Sequence, residues 1–280
     1  MKLQEYILSA TRASLAYKSG EELKDIWNNS SLEIFRSVEL APRFYSSDGS
    51  QAHSWIQGGV FHLAFRGTEE LNDVFADLNL QRTTLFDNDP NILVHAGFLD
   101  YFNEIKDQIE AELKAQAKNF HTIQVTGHSL GGAIATIASA YFGKMMNTSQ
   151  ASEGLHFKPV DKTKKRIVCH TIGSPRVGNT SFVKWFHTQV DESMRIANDD
   201  DPITLFPISC LYTHVSEAIC LSDKCIKEVH SDTKWYWRLF SFPFYKASAK
   251  DHSCNMYINR LLLSEKRQKG NSKKLNLLTE

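Results

Sequence analysis

The run Val125-Thr126-Gly127-His128-Ser129-Leu130-Gly131-Gly132 sets a serine between two glycines in the pattern Gly-x-Ser-x-Gly. β-Branched residues lead into Gly127, and a stretch of small and apolar residues leaves from Leu130, so a strand–turn–helix is expected around Ser129. A turn that tight strains the serine backbone and brings residues 127 and 131 almost into collision, which demands glycine at both for steric reasons. The Ser129 hydroxyl would then stand at the carboxyl end of a sheet. The Leu130 N–H, at the start of a helix, would point at the same spot and could stabilise an oxyanion. The chemistry this suits is nucleophilic attack on an acyl carbon.

A serine hydroxyl attacks only when a base takes its proton and an acid orients that base. In the order Ser, acid, His, both partners lie downstream. The strand-forming run Met194-Arg195-Ile196-Ala197-Asn198 delivers Asp199-Asp200-Asp201-Pro202. Pro202 favours an extended, fixed Asp201, whereas Asp199 and Asp200 read as a solvated turn. Three histidines follow, His214, His230 and His252, and His252 stands just before a terminal apolar helix, a position that suits the base. His128 is expected to point away from the hydroxyl and to pack. A second oxyanion donor must come from an earlier strand end, and Val60–Phe65 runs into Arg66-Gly67-Thr68, offering Thr68 N–H.

Those residues need a scaffold. Apolar residues from Leu3 to Tyr17 recur at helical spacing, with Gly20 ending the pattern; helices are expected across residues 1–30. Asp48-Gly49 marks a hairpin turn, and Asp100 reads as the N-cap of a long amphipathic helix through Leu113. Beyond it, strands at 122–126, 166–172 and 194–197 alternate with helices at 130–146 and 181–189. That alternation predicts a parallel sheet covered by helices. Residues 148–165 read as a polar loop and 264–280 as a frayed polar tail. Trp235, Tyr236, Trp237, Phe240, Phe242, Phe244 and Tyr245 suit core packing better than a lipid-facing wall.

The 280 residues carry 32 Lys+Arg against 32 Asp+Glu, and that neutrality argues against a nucleic-acid partner. No run is long and apolar enough for a transmembrane helix, and the first residues lack a signal peptide's apolar core. Five scattered cysteines fit neither a disulfide framework nor a zinc site; a reduced, cytoplasmic or otherwise soluble protein without metal or cofactor is expected.

Phe65-Arg66-Gly67-Thr68, His95-x-Gly97-Phe98, Gly127-His128-Ser129-Leu130-Gly131-Gly132, Gly173-Ser174-Pro175-Arg176-Val177-Gly178-Asn179 and Asn198-x-x-Asp201 follow one another in order. Across residues 55–262 the chain thereby resembles the class 3 lipase family, α/β-hydrolases that include secreted fungal triacylglycerol lipases. The resemblance implies a single α/β-hydrolase domain over residues 1–263 with a mostly parallel central sheet. It puts the nucleophile on Ser129, the acid on Asp201, and the oxyanion hole on Thr68 and Leu130. It also removes His214, which leaves His252 as base. It further implies a helical lid over about Glu69 to Asp89, although Phe75-Ala76-Asp77-Leu78 stands where the family commonly has Trp-x-x-Asp-Leu. The implied substrate is a lipid ester, an acylglycerol first. A phospholipase A1, a small-ester esterase and a non-hydrolytic binding module remain as alternatives.

Overall fold

Every residue from 122 to 140 is buried, and this run forms the centre of the molecule. The computed structural model describes residues 2–29, 38–68, 80–86, 89–148, 165–222, 226–229 and 249–276. Within them the buried run folds as strand β6 (Thr122–His128) followed by helix α4 (Leu130–Thr148). A strand with neither face exposed belongs inside a sheet covered on both sides.

The strands around it are β1 (Val38–Ser46), β2 (Gln51–Gln57), β3 (Val60–Phe65), β7 (Arg166–Ile172), β8 (Glu192–Asn198), β9 (Ala218–Leu221) and β10 (Ile226–Val229). They form one sheet in the order β1-β2-β3-β6-β7-β8-β9-β10. From β3 to β9 all neighbours are parallel, while β1, β2 and β10 pair antiparallel at the two ends. The parallel strands therefore end on one edge, where the turns after β3, β6 and β8 come together.

Successive side chains of a strand face opposite sides of the sheet, and the two sides differ here. Phe61, Leu63, Ile123, Val125, Ile167 and Cys169 join the main apolar core with helices α3 (Ala96–Ala115), α4 and α5 (Thr180–Gln189). On the opposite side, Gln124 and His170 bond to helix α1 (Lys2–Leu15). Beside them, Ile172 and Ile196 pack on Ile7, Ala10 and Ala13 of α1 and on Tyr257 and Leu261 of helix α7 (Cys254–Asn276).

Several expectations are corrected. Gly20 does not close the first helix; it opens α2 (Gly20–Asn29), where Ser19 and Glu22 each accept the other's backbone N–H in a capping box. Helix α3 begins at Ala96, a turn before Asp100, with the backbone of His95 as its cap. The tail expected to fray from residue 264 is helical to Asn276: Ser264 is buried, Lys269 pairs with Glu265 at 2.6 Å, and the run is rich in good helix formers. Of the expected lid, residues 69–79 and 87–88 lie outside the described residues. Within its remainder, β4 (Arg82–Thr84) is not helical but pairs antiparallel with β5 (Leu93–His95). Residues 149–164, His230 and the aromatic segment 235–245 also lie outside the described residues.

Candidate active site

Ser129 fills the single position between β6 and α4, with φ of 59°. No other non-glycine among the described residues has positive φ, a conformation that costs about 1–3 kcal/mol and needs a surround that enforces it. The surround is close contact. A Cβ on Gly127 would lie 2.1 Å from the Gly131 carbonyl oxygen, and one on Gly131 would lie 2.3 Å from that of Phe65. Ser129 N–H donates to Ile172 O of β7 at 3.0 Å, which ties the turn to the next strand. The Ser129 Oγ is buried without a hydrogen-bond partner.

The turn after β8 carries Asp201, 1% exposed, whereas Asp199 and Asp200 stay at its half-buried rim. One carboxylate oxygen of Asp201 accepts Ile203 N–H at 2.9 Å. The other accepts His252 Nδ1–H at 2.7 Å and Tyr257 O–H at 2.6 Å. Because an ionised carboxylate only accepts, the proton of a neutral His252 sits on Nδ1 and leaves the Nε2 lone pair open. That Nε2 is buried and has no partner. His252 ends the short helix α6 (Ala249–His252), rather than lying on a loop, just before α7.

Gly67 follows β3 and abuts the elbow: a Cβ there would lie 3.2 Å from Ser129 Cβ and 2.6 Å from His128 O. Next to it, Thr68 shares with Leu130, Arg66, Gln51 and Tyr101 the lining of a cleft of about 280 Å³. Leu130 opens α4, and the first N–H groups of a helix have no partner within it. All five expected residues thus lie on the carboxyl edge of the sheet.

The other motif residues brace this edge. Arg176, 2% exposed, donates from its guanidinium to Leu205 O and, at 2.9 Å, to Pro207 O, fixing the chain beyond Asp201. Asn198 donates its side-chain N–H to Asp251 O at 2.6 Å, beside His252. His214 donates to Thr204 O at 2.8 Å; burial first, then nearby Arg195, holds its pKa well below the usual imidazole range. It is a neutral brace. Tyr257 escaped the sequence reading, since a tyrosine five residues past a histidine on an apolar helix looks like core. Its pKa is pushed far up by burial and by Asp201, so it remains an O–H donor.

Among the described residues, Glu5, His170 and Glu192 could each offer one metal ligand within 4.8 Å of one another. Gln124 donates its amide N–H to His170 Nδ1 at 2.9 Å, so the proton of His170 occupies Nε2, the atom left for a metal. The cluster is not wired as a metal site.

The family described as "Lipase (class 3)" matches residues 62–210, more than half of the chain. A secreted mono- and diacylglycerol lipase of Fusarium solani is 37% identical over 126 residues, 44% of this chain and 32% of that protein. A chloroplastic phospholipase A(1) of Arabidopsis thaliana is 31% identical over 123 residues, 41% of this chain and 24% of that protein. The chain thus spans well under half the length of these curated relatives. The solved structure of Rhizomucor miehei triacylglyceride lipase superposes with a TM-score of 0.67 at 20% identity, covering 90% of this chain and 92% of that one. At that identity the likeness establishes the fold, an α/β-hydrolase with a mostly parallel sheet. Relatives that are named as secreted or chloroplastic proteins overturn the expectation of a cytoplasmic protein. No helix among the described residues is long and apolar enough to cross a membrane. By its matched residues and its fold, the chain belongs to the class 3 lipase family.

Proposed function

We propose that this chain is a serine hydrolase that cleaves carboxylic esters of lipids, acylglycerols first, through an acyl-enzyme on Ser129. His252 Nε2 takes the Ser129 proton as Oγ bonds to the acyl carbon, and the carbonyl electron pair moves onto its oxygen. Thr68 and Leu130 N–H donate to that oxyanion. As the ester C–O bond breaks, His252 returns the proton to the leaving alcohol. Water then repeats the sequence, releasing the acid and restoring the Ser129 hydroxyl. Asp201 accepts from Nδ1 throughout and stabilises the imidazolium.

The observation that carries this reading is a pair of atoms. Ser129 Oγ and His252 Nε2 are both buried and unpartnered, while the other nitrogen of His252 is bonded to buried Asp201. Other buried polar atoms, His170 Nε2 among them, are unpartnered too; what distinguishes His252 is the carboxylate on its Nδ1, and what distinguishes Ser129 is its place in the strained elbow. The relatives' names, mono- and diacylglycerol lipase and phospholipase A(1), support a lipid ester as substrate.

The test is a fluorophosphonate probe followed by hydrolysis of diacylglycerol, triacylglycerol, phosphatidylcholine and short nitrophenyl esters. Ser129 should be the labelled residue, diacylglycerol or triacylglycerol should be cleaved fastest, and Ser129→Ala should lower turnover about 10⁶-fold. A preference for phosphatidylcholine makes the chain a phospholipase, and preference for nitrophenyl esters an esterase. Neither labelling nor turnover would leave a binding module.

A further inference from the structure

Tyr17 stands two residues beyond α1, outside the residues that match the family, yet its hydroxyl bonds to His128 of the elbow. We propose that Tyr17 and His128 form a positioning relay that fixes the base and the oxyanion loop together, making the N-terminal helix a working part of the active site. The inference rests on the serine-hydrolase reading above and adds to it two residues and a direction.

The direction follows from what each atom can do. His128 Nε2 lies 2.6 Å from the backbone oxygen of His252, and a carbonyl only accepts, so Nε2 carries the proton. Burial, then the neighbouring His252, lowers the His128 pKa to about 3, so the ring is neutral and its Nδ1 accepts. Tyr17 Oη, 2.8 Å from Nδ1, is therefore the donor. The chain runs from Tyr17 O–H to His128 and from His128 N–H to the carbonyl of the base.

That carbonyl matters because His252 ends a helix of four residues, whose last C=O groups have no partner inside it. His128 supplies one, and its ring also lies against that of His252, with centroids 4.6 Å apart. The backbone of the base is thus held from the elbow itself. Tyr17 meets the oxyanion loop as well. A Cβ on Gly67 would lie 2.4 Å from Tyr17 Oη, so the hydroxyl occupies the space of a missing side chain. The Arg66 guanidinium stands 5.8 Å from the centre of the same ring. One phenol therefore touches the loop that carries Thr68 and orients the histidine that holds His252.

The relay is tested by kcat and KM on a soluble nitrophenyl ester, with thermal melts to hold the folded fraction equal. Tyr17→Phe keeps the ring and removes the donor; kcat should fall about tenfold at unchanged KM. His128→Asn puts its amide near the Nδ1 position, out of reach of the His252 carbonyl, and should cost about 10²-fold through misplacement of the base. His128→Gln puts an amide N–H near the Nε2 position and should recover most of that loss. Adding Tyr17→Phe to His128→Asn should cost little more, because the relay is already broken. Packing alone would lower the melting temperature and leave kcat and the Asn/Gln difference unmoved. Equal kcat for Asn and Gln, or wild-type kcat for Tyr17→Phe, overturns the relay. If His128→Asn does not fold, Tyr17→Phe and His128→Gln still decide it. A wild-type chain that neither labels nor hydrolyses fails the hydrolase reading instead, a result distinguishable from active but insensitive variants.

Discussion

His252 ends a short helix and His170 lies within β7, yet the two share a description. Each is buried, each has Nδ1 engaged, and each leaves Nε2 without a hydrogen-bond partner. Their wiring is opposite. His252 gives its Nδ1 proton to the carboxylate of Asp201, which keeps a lone pair on Nε2. His170 Nδ1 receives an amide proton from Gln124, whose oxygen is turned to the Arg12 guanidinium at 3.2 Å, and Ser9 Oγ lies 2.7 Å from the same nitrogen. Its own proton is thereby driven to Nε2. Burial, then Arg12, lowers the His170 pKa to about 3. A buried histidine with a bare nitrogen is thus no base unless an acceptor sits on its other nitrogen.

Asp201→Asn is the most direct way to break the contrast. Asparagine keeps the size of the side chain but can turn an amide N–H toward His252 Nδ1, imposing on His252 the wiring that Gln124 imposes on His170. Turnover should fall about 10⁴-fold, as expected where a triad acid is neutralised and the wrong tautomer results. Asp199→Asn and Asp200→Asn should change it little, because His252 bonds to Asp201 alone of the three. Equal losses at all three positions would mean that the turn acts through its shape. The measurement is kcat on one ester for the three variants.

The difference between the two histidines also marks what could be read from sequence. Ser129, Gly127 and Gly131 announce themselves because the elbow is local: its sterics are written within five residues. The parallel core was equally legible, since β-branched residues lead into the elbow, small and apolar residues open α4, and strands and helices alternate beyond it. Asp201 separated from its neighbours through Pro202, another local constraint. Tyr257, Tyr17 and Gln124 could not be singled out from the sequence. Each acts on a histidine through a contact of long sequence separation, with 111 positions between Tyr17 and His128. The start of α3 was missed because the His95 side chain makes no capping bond, so no cap residue marked it. The polar side of the sheet, where Ser9, Arg12, Gln124 and His170 meet, carries no periodicity that distinguishes a buried network from a solvated face.

Tyr257→Phe sharpens the comparison from the acid's side. Its O–H competes with His252 Nδ1–H for one oxygen of Asp201. Without it, that oxygen of Asp201 is held by His252 alone, so the acid is less firmly placed against the base. Turnover on one ester should fall by up to about tenfold. A lowered melting temperature with unmoved kcat would reduce Tyr257 to packing.

The smallest effect on activity is expected at His170, where the change should appear in stability alone. His170→Asn offers a carbonyl oxygen near the Nδ1 position, so Gln124 and Ser9 keep an acceptor. The smaller side chain should cost about 1–3 kcal/mol at neutral pH. With a folded pKa of about 3 against about 6.5 when unfolded, wild-type His170 is neutral when folded and takes a proton on unfolding throughout that interval. The unfolded state binds more protons there, so stability rises with pH and is lost as pH falls from about 6.5 toward 3. Each such histidine contributes about 1.4 kcal/mol per pH unit well inside the window. His128, also lowered to about 3, keeps its share of the slope in the variant. Urea unfolding at pH 7 and pH 5 should therefore find His170→Asn weaker than wild type at pH 7 but losing less between the two, by about 1–2 kcal/mol. Its kcat on the ester should equal that of wild type. An unchanged pH slope would mean that His170 keeps an ordinary affinity for protons in the folded chain, and the contrast with His252 would then rest on tautomer alone.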